Sequence, residues 1–98
     1  MAAYLIADVL PDDQEGYRSS GYLEAAKRTA GEHGGEYLAR GGATTVLEGE
    51  WDPERMVIIR FPSIEDLHAW YDSAEYQEWA KVRQQYAPRS KLVALQGV

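Results

Sequence analysis

Apolar and polar positions alternate along AAYLIADVL, residues 2–10, so an extended chain puts Leu5, Ala7 and Val9 on one side and Tyr4, Ile6 and Asp8 on the other. PDDQEG then turns the chain, and the period changes. From about Glu15 to Glu32 the residues favour helix, with Tyr22, Ala26, Ala30 and His33 at helical spacing and Gly21 as a weak point inside. Gly34 and Gly35 follow the last turn, where a left-handed residue suits glycine. EYLAR, residues 36–40, reads as a strand. Gly41 and Gly42 then predict a tight hairpin, from which ATTVLEGEW, residues 43–51, returns antiparallel. WDPER makes the next turn around Pro53. In RMVIIRF, residues 55–61, Val57, Ile59 and Phe61 point one way and Met56, Ile58 and Arg60 the other. Ser63 is placed to N-cap a helix through Leu67 and Tyr71, with Asp66 in its first turn, and Ser73 to cap AEYQEWAKVRQQY. Pro88 lies in the exit from that helix, and KLVALQGV supplies the last strand.

The order is β-α-β-β-β-α-α-β, or βαββαβ if the central hairpin arms form one bent ribbon. Either reads as a ferredoxin-like α+β domain over residues 1–98, an antiparallel sheet with helices on one face. The pattern predicts that the helices cover Leu5, Ala7, Val57, Ile59, Phe61, Val93 and Leu95. Tyr4, Ile6, Leu38, Val46, Met56, Ile58, Leu92 and Ala94 are left on the opposite face. So large an apolar surface calls for a partner, and the expectation is a homodimer in which two sheets face each other about a two-fold axis.

Composition narrows the function classes. The 98 residues suit one domain, and 45% apolar with 27% charged residues is globular composition rather than disorder. Net charge is −6 and the ten Lys and Arg are scattered, which argues against nucleic acid. With no cysteine there is no disulfide, thiolate metal site or cysteine nucleophile, and the expected location is cytoplasmic. The apolar opening has no basic n-region and is too short to span a bilayer, so neither a signal nor a membrane anchor is expected.

Candidate chemistry centres on Arg83. Tyr76, Trp79, Ala80 and Arg83 fall at i, i+3, i+4 and i+7, which puts a guanidinium on a helix face otherwise suited to the core. There it either meets a ligand anion or pairs with a carboxylate such as Glu48 or Asp8, or snorkels at the rim. Arg40 shares its strand parity with Leu38, on the face predicted for Tyr4, Ile6 and Asp8, and beside the glycine hairpin it is a second anion-binding candidate, an exposed strand-end charge or a dimer contact. His33 is a helix-end residue favoured by the dipole, or a general base suited to neutral pH. His68 has no carboxylate–histidine spacing around it, and no metal site or tightly bound cofactor is expected. Ser73 is a cap before it is a nucleophile, because no G-x-S-x-G elbow is present. Tyr71 and Tyr76 are ligand hydroxyls or core rings, and Asp8, Glu48 and Arg60 put charge on an apolar sheet face.

With HGGEYLARGG, LEGEWDPERMVIIRFPS, WYDSAEYQEW and Arg83 in place, the chain resembles the bacterial family catalogued as domain of unknown function 1330, within the dimeric α+β barrel superfamily, from Tyr4 to Gly97. The His-Gly-Gly, Arg-Gly-Gly, Glu-Gly-x-Trp and Ser-x-x-Tyr-Gln runs carry the resemblance. It implies a two-chain barrel with a cleft between sheet and helices, and no particular reaction; fold relatives include cofactor-free monooxygenases and lactone isomerases. The resulting expectation is a homodimer holding a small anionic or phenolic molecule. Glu48, Tyr71, Ser73 and Tyr76 would join the arginines as ligand contacts. Any catalysis would be proton transfer such as isomerisation or cyclisation, with Arg83 and Arg40 on an oxyanion and His33 or Asp8 moving the proton. The alternative is a non-enzymatic binding or assembly module whose charges specify its interface.

Overall fold

Eight elements succeed one another in the computed structural model, which describes residues 1–98: β1 (Ala3–Asp8), α1 (Gln14–Ser19), α2 (Tyr22–Glu32), β2 (Glu36–Arg40), β3 (Met56–Phe61), α3 (Ile64–Tyr71), α4 (Ala74–Tyr86) and β4 (Lys91–Gln96). The strands form one antiparallel sheet in the order β2-β3-β1-β4. All four helices lie on one face, giving the ferredoxin-like βαββαβ plan with each helical arm in two pieces. No helix is long and apolar enough to cross a membrane.

Local chemistry explains most boundaries. Asp13 caps α1 by accepting from the Gly16 N–H, Ser63 caps α3 through the Asp66 N–H, and Ser73 caps α4 through the Tyr76 N–H. His33 is the C-cap of α2, and Gly34 follows it with φ of 82°. The single helix expected from Glu15 to Glu32 is two helices, because Gly21 takes φ of 88° and breaks the hydrogen-bond ladder between them.

The strand expected over residues 43–51 does not form, and with it goes the tight glycine hairpin. Of Gly41 and Gly42 only the first takes a positive φ, 70°, and its N–H donates to the Met56 carbonyl, so β2 returns directly to β3 and the intervening residues loop out. β2 takes β3 as its partner and keeps its outer edge open, so the segment leaves the sheet instead of pairing back on β2. Val46 and Leu47 are adjacent rather than alternating, and both are exposed.

Leu5, Ala7, Val57, Ile59 and Phe61 face the helices as their alternation predicts, and with Leu67, Trp70 and Tyr76 they make the core. The last strand is in the opposite phase. Leu92 stands across from Ala7 and Ala94 across from Leu5, so these two are on the helical side, while Val93 and Leu95 are over half exposed on the open face. KLVAL is apolar on both sides of the strand, so alternation alone is degenerate there and register decides.

Candidate functional site

α4 carries Tyr76, Ala80 and Arg83 into the interior, one helix face as the spacing requires. Arg83 is only 4% exposed. The ion pairs of the chain join Arg28 to Glu32 and Glu75, Lys81 to Glu78, and Arg89 to Asp12; none reaches Arg83. Its Nε is buried with no hydrogen-bond partner, and its Cζ stands 5.9 Å from the centre of the Tyr22 ring. The aromatic face attracts the cation but does not neutralise it. Burial opposes its charge and the Tyr22 and Tyr76 oxygens support it; the net direction is upward, so Arg83 remains a cation.

Arg83 opens onto a cleft between sheet and helices of about 30 Å³, room for one or two waters. Leu5, Ala7, Val57 and Ile59 form its floor, and α1 and α2 contribute Tyr17, Tyr22 and Leu23. Two further arginines line it. Arg40 arrives by a bulge in β2: Tyr37 faces Ile59 and Ala39 faces Ile58, so Leu38 is the extra residue. The bulge turns Arg40 to the side of Val57, the helical side, contrary to the face its parity with Leu38 predicts, and sets its Cζ 5.3 Å from the Tyr37 ring centre. Arg55, at the end of the β2–β3 loop, is the third, and its Nε is also buried without a partner. No aspartate or glutamate lines the cleft, within a chain of net charge −6. Tyr17, Leu23 and Arg55 also border an outer, polar chamber of about 190 Å³ that includes Gln14, Arg18 and Glu54.

The phenols of the cleft are held neutral. Burial pushes Tyr22 well above the usual tyrosine value, with Tyr76 adding to the effect, and the two hydroxyls lie 2.7 Å apart. Burial also raises Tyr17, against the pull of Arg55 and Arg83, and raises Tyr37 to about 12 against Arg40. A folded-state value above the unfolded one means that the native chain keeps its protons longer. The stability these phenols contribute is therefore intact below pH of about 10 and falls as pH rises toward about 12. Urea midpoints are expected to drop across that window, and Tyr37→Phe to flatten the drop by about one proton's worth. An unchanged slope in Tyr37→Phe would show that Tyr37 ionises freely in the folded chain.

The remaining predicted site residues do not converge on Arg83. Asp8 is on the open face of the sheet, 6% exposed, accepting from Trp51 Nε1 at 3.1 Å, Glu54 N at 3.1 Å and Arg55 N at 3.4 Å. It anchors the loop and pairs with neither Arg83 nor Arg60. Glu48 is exposed in that loop beside Leu47 and Trp51. His33 caps α2 and does not line the cleft. Ser73 uses its hydroxyl twice, accepting from Tyr76 N and donating to the Trp70 carbonyl. Tyr71 and His68 border a separate groove against β4 with Leu92 and Ala94. Tyr76 is fully buried behind Tyr22. Sequence reading passed over Arg55, Tyr37 and Tyr17 as site residues; the first stands in a turn motif, and only the loop's return path brings it to the cleft.

The family model for a domain of unknown function, DUF1330, matches residues 2–98. No curated protein matches the chain. Among solved structures, a protein of unknown function from Rhodopseudomonas palustris is 18% identical, with a TM-score of 0.75 over 99% of this chain and 82% of that one. A dimeric ferredoxin-like protein of unknown function from Jannaschia sp. is 13% identical, with a TM-score of 0.76 over 99% and 100%. A candidate antibiotic biosynthesis monooxygenase from Nitrosomonas europaea is 14% identical, with a TM-score of 0.60 over 100% and 99%. Likeness at such identities establishes the fold and nothing finer.

Proposed function

This chain belongs to the DUF1330 family, and from the unpaired arginine buried in its cleft we propose that it is a homodimer that binds a small anionic or phenolic molecule between sheet and helices. The single observation that carries the reading is Arg83: a guanidinium 4% exposed, with an orphaned Nε and no carboxylate. A buried charge left in that state is costly unless an anion completes it. The homodimer is supported by the apolar open face, where Leu38, Val93 and Leu95 are exposed and Ile6, Met56 and Ile58 only partly covered, and by structural neighbours that are themselves described as dimeric.

The chemistry offered by the cleft is hydrogen-bond donation from guanidinium and neutral phenol, which suits stabilising an oxyanion. Binding takes precedence over proton-transfer catalysis in this reading, since His33 and Asp8 lie outside the cleft and its phenols are pushed away from neutral pH. An assembly module with an empty, structural cleft is the second reading, favoured by the extent of the open face.

Arg83→Met separates them. A structural ion pair would lose stability on this change, whereas an unpaired ligand cation is expected to leave stability unchanged or raised. A thermal-shift screen of small carboxylates and phenols should give wild-type hits that vanish in the variant. Wild-type hits that survive in Arg83→Met would remove Arg83 from the site, and a blank wild-type screen would favour the assembly reading.

A further inference from the structure

The cleft holds more positive charge than one acidic group can answer. Arg83 enters from α4, Arg55 from the loop before β3 and Arg40 from the bulged end of β2. Two of the three carry a buried Nε without a partner, and the two come from different elements. Arg40 faces the Tyr37 ring, and Arg55 has the neutral Tyr17 phenol beside it but no carboxylate to balance its charge. Both Arg55 and Arg83 are close enough to Tyr17 to act on its phenol, and all three line the same cleft. Arg40 is exposed to solvent, but Arg83 and Arg55 are like charges in a partly dry space, and a monoanion would leave one of the two uncompensated.

Position distinguishes the two orphans further. Arg83 lines only the inner cleft, while Arg55, with Tyr17 and Leu23, borders both the inner cleft and the polar outer chamber. Arg55 is therefore at the passage from one to the other. The inner lining is otherwise almost wholly apolar, with Leu5, Ala7, Ala26 and Ile59 offering a surface for a carbon skeleton. The inner space alone admits only water, so a ligand of any size displaces Leu23 or Tyr17 and extends toward the chamber.

Resting on the anion-binding reading, we infer that the ligand is a compact organic dianion, two acidic groups on one small apolar skeleton, with one group on Arg83 and the other on Arg55 at the passage. Guanidinium forks bind carboxylates in pairs of charge-assisted hydrogen bonds, which gives each end of such a molecule its own orientation-fixing contact. Arg55 is thereby a second anion-binding residue, and the Asp8 side chain positions it, because Asp8 accepts from the Arg55 and Glu54 backbone N–H groups across the sheet.

Titration calorimetry with three matched pairs tests this: butyrate against succinate, valerate against glutarate, and benzoate against isophthalate. In at least one pair the diacid is expected to bind wild-type protein more than about tenfold tighter than its monoacid. Arg55→Met should erase that preference while leaving monoacid binding within about threefold, and Arg83→Met should weaken both. Equal affinities within every pair, or a diacid preference that persists in Arg55→Met, would overturn the two-headed ligand while leaving a one-headed anion site standing. Absence of binding by all six acids, together with a blank screen of phenols, would overturn the anion site itself. Circular dichroism of Arg55→Met guards the comparison; should that variant unfold, Arg55→Gln, which removes the charge but keeps a polar hydrogen-bonding end beside Tyr17, gives the same readout.

Discussion

Replacing Trp70 with alanine is expected to lower the unfolding free energy by about 3–5 kcal/mol, the largest stability effect of any single truncation in this chain. Trp70 is 1% exposed and is the hub of the aromatic core: its ring centre lies 4.2 Å from that of Tyr76, 5.4 Å from Phe61 and 6.2 Å from Tyr71. Its indole Nε1 donates to Thr29 Oγ1 at 3.0 Å, and that hydroxyl in turn donates to the Ala25 carbonyl at 2.8 Å. Truncation thus removes three aromatic contacts, empties a volume between α2, α3 and the sheet, and deprives Thr29 of its donor. Trp70→Phe isolates the last of these. It keeps most of the packing, strands the Thr29 oxygen with one partner fewer, and should cost about 1–3 kcal/mol. Urea denaturation measures both. A cost below about 1 kcal/mol for the alanine variant would mean that the core collapses around the gap and that the ring is not its organiser. The effect also reaches the cleft, because Trp70 lines it and holds Tyr76, whose hydroxyl fixes Tyr22 beside Arg83.

Where local chemistry and global pairing agree, the chain is readable residue by residue. Leu5-Ala7 and Val57-Ile59-Phe61 alternate cleanly because their other neighbours include Asp8 and Arg60, so one phase is plainly the buried one. Ser63 and Ser73 sit just ahead of helical runs and do cap them. Arg83 shares its helix face with Tyr76 and Ala80, and all three are buried. Where alternation is degenerate, long-range pairing decides instead. Leu92-Val93-Ala94-Leu95 is apolar in both phases, and only its register against β1 selects Leu92 and Ala94 for the helical side. Residues 43–51 have strand-forming character in part, yet β2 takes β3 rather than this adjacent segment as its partner. Arg40 changes faces because one bulged residue, Leu38, shifts the parity of the positions after it, and nothing in EYLARGG announces a bulge before the register is known. Arg55 was illegible for a related reason: the turn in which it stands is aimed by Asp8, a residue 47 positions earlier in the chain.

Ile58→Asp is expected to convert the proposed homodimer to monomers. Ile58 lies in the middle of the open face, opposite Ile6 of β1 and Ala39 of β2, and in the isolated chain it is half-buried. Two sheets closing on each other about a two-fold axis would bury it fully and bring its symmetry mate onto the same surface. An aspartate there places one unpaired carboxylate per protomer in a dry interface, at about 3 kcal/mol each, so dissociation should become easier by about 6 kcal/mol, roughly four orders of magnitude in Kd. Sedimentation at micromolar concentration reads the change directly; wild-type protein that is already monomeric there would remove the interface itself. The fold of each protomer should survive, since the substitution is on the face away from Trp70, Phe61 and Tyr76. Survival makes the variant informative about the cleft as well. Arg83 and the cleft floor of Leu5, Ala7 and Ile59 are on the side of the sheet opposite the proposed interface. A monomeric Ile58→Asp protein should therefore still bind acids through Arg83. Loss of acid binding along with the dimer would show instead that pairing of the sheets holds Asp8, Trp51 and the Arg55 loop in the arrangement that completes the site.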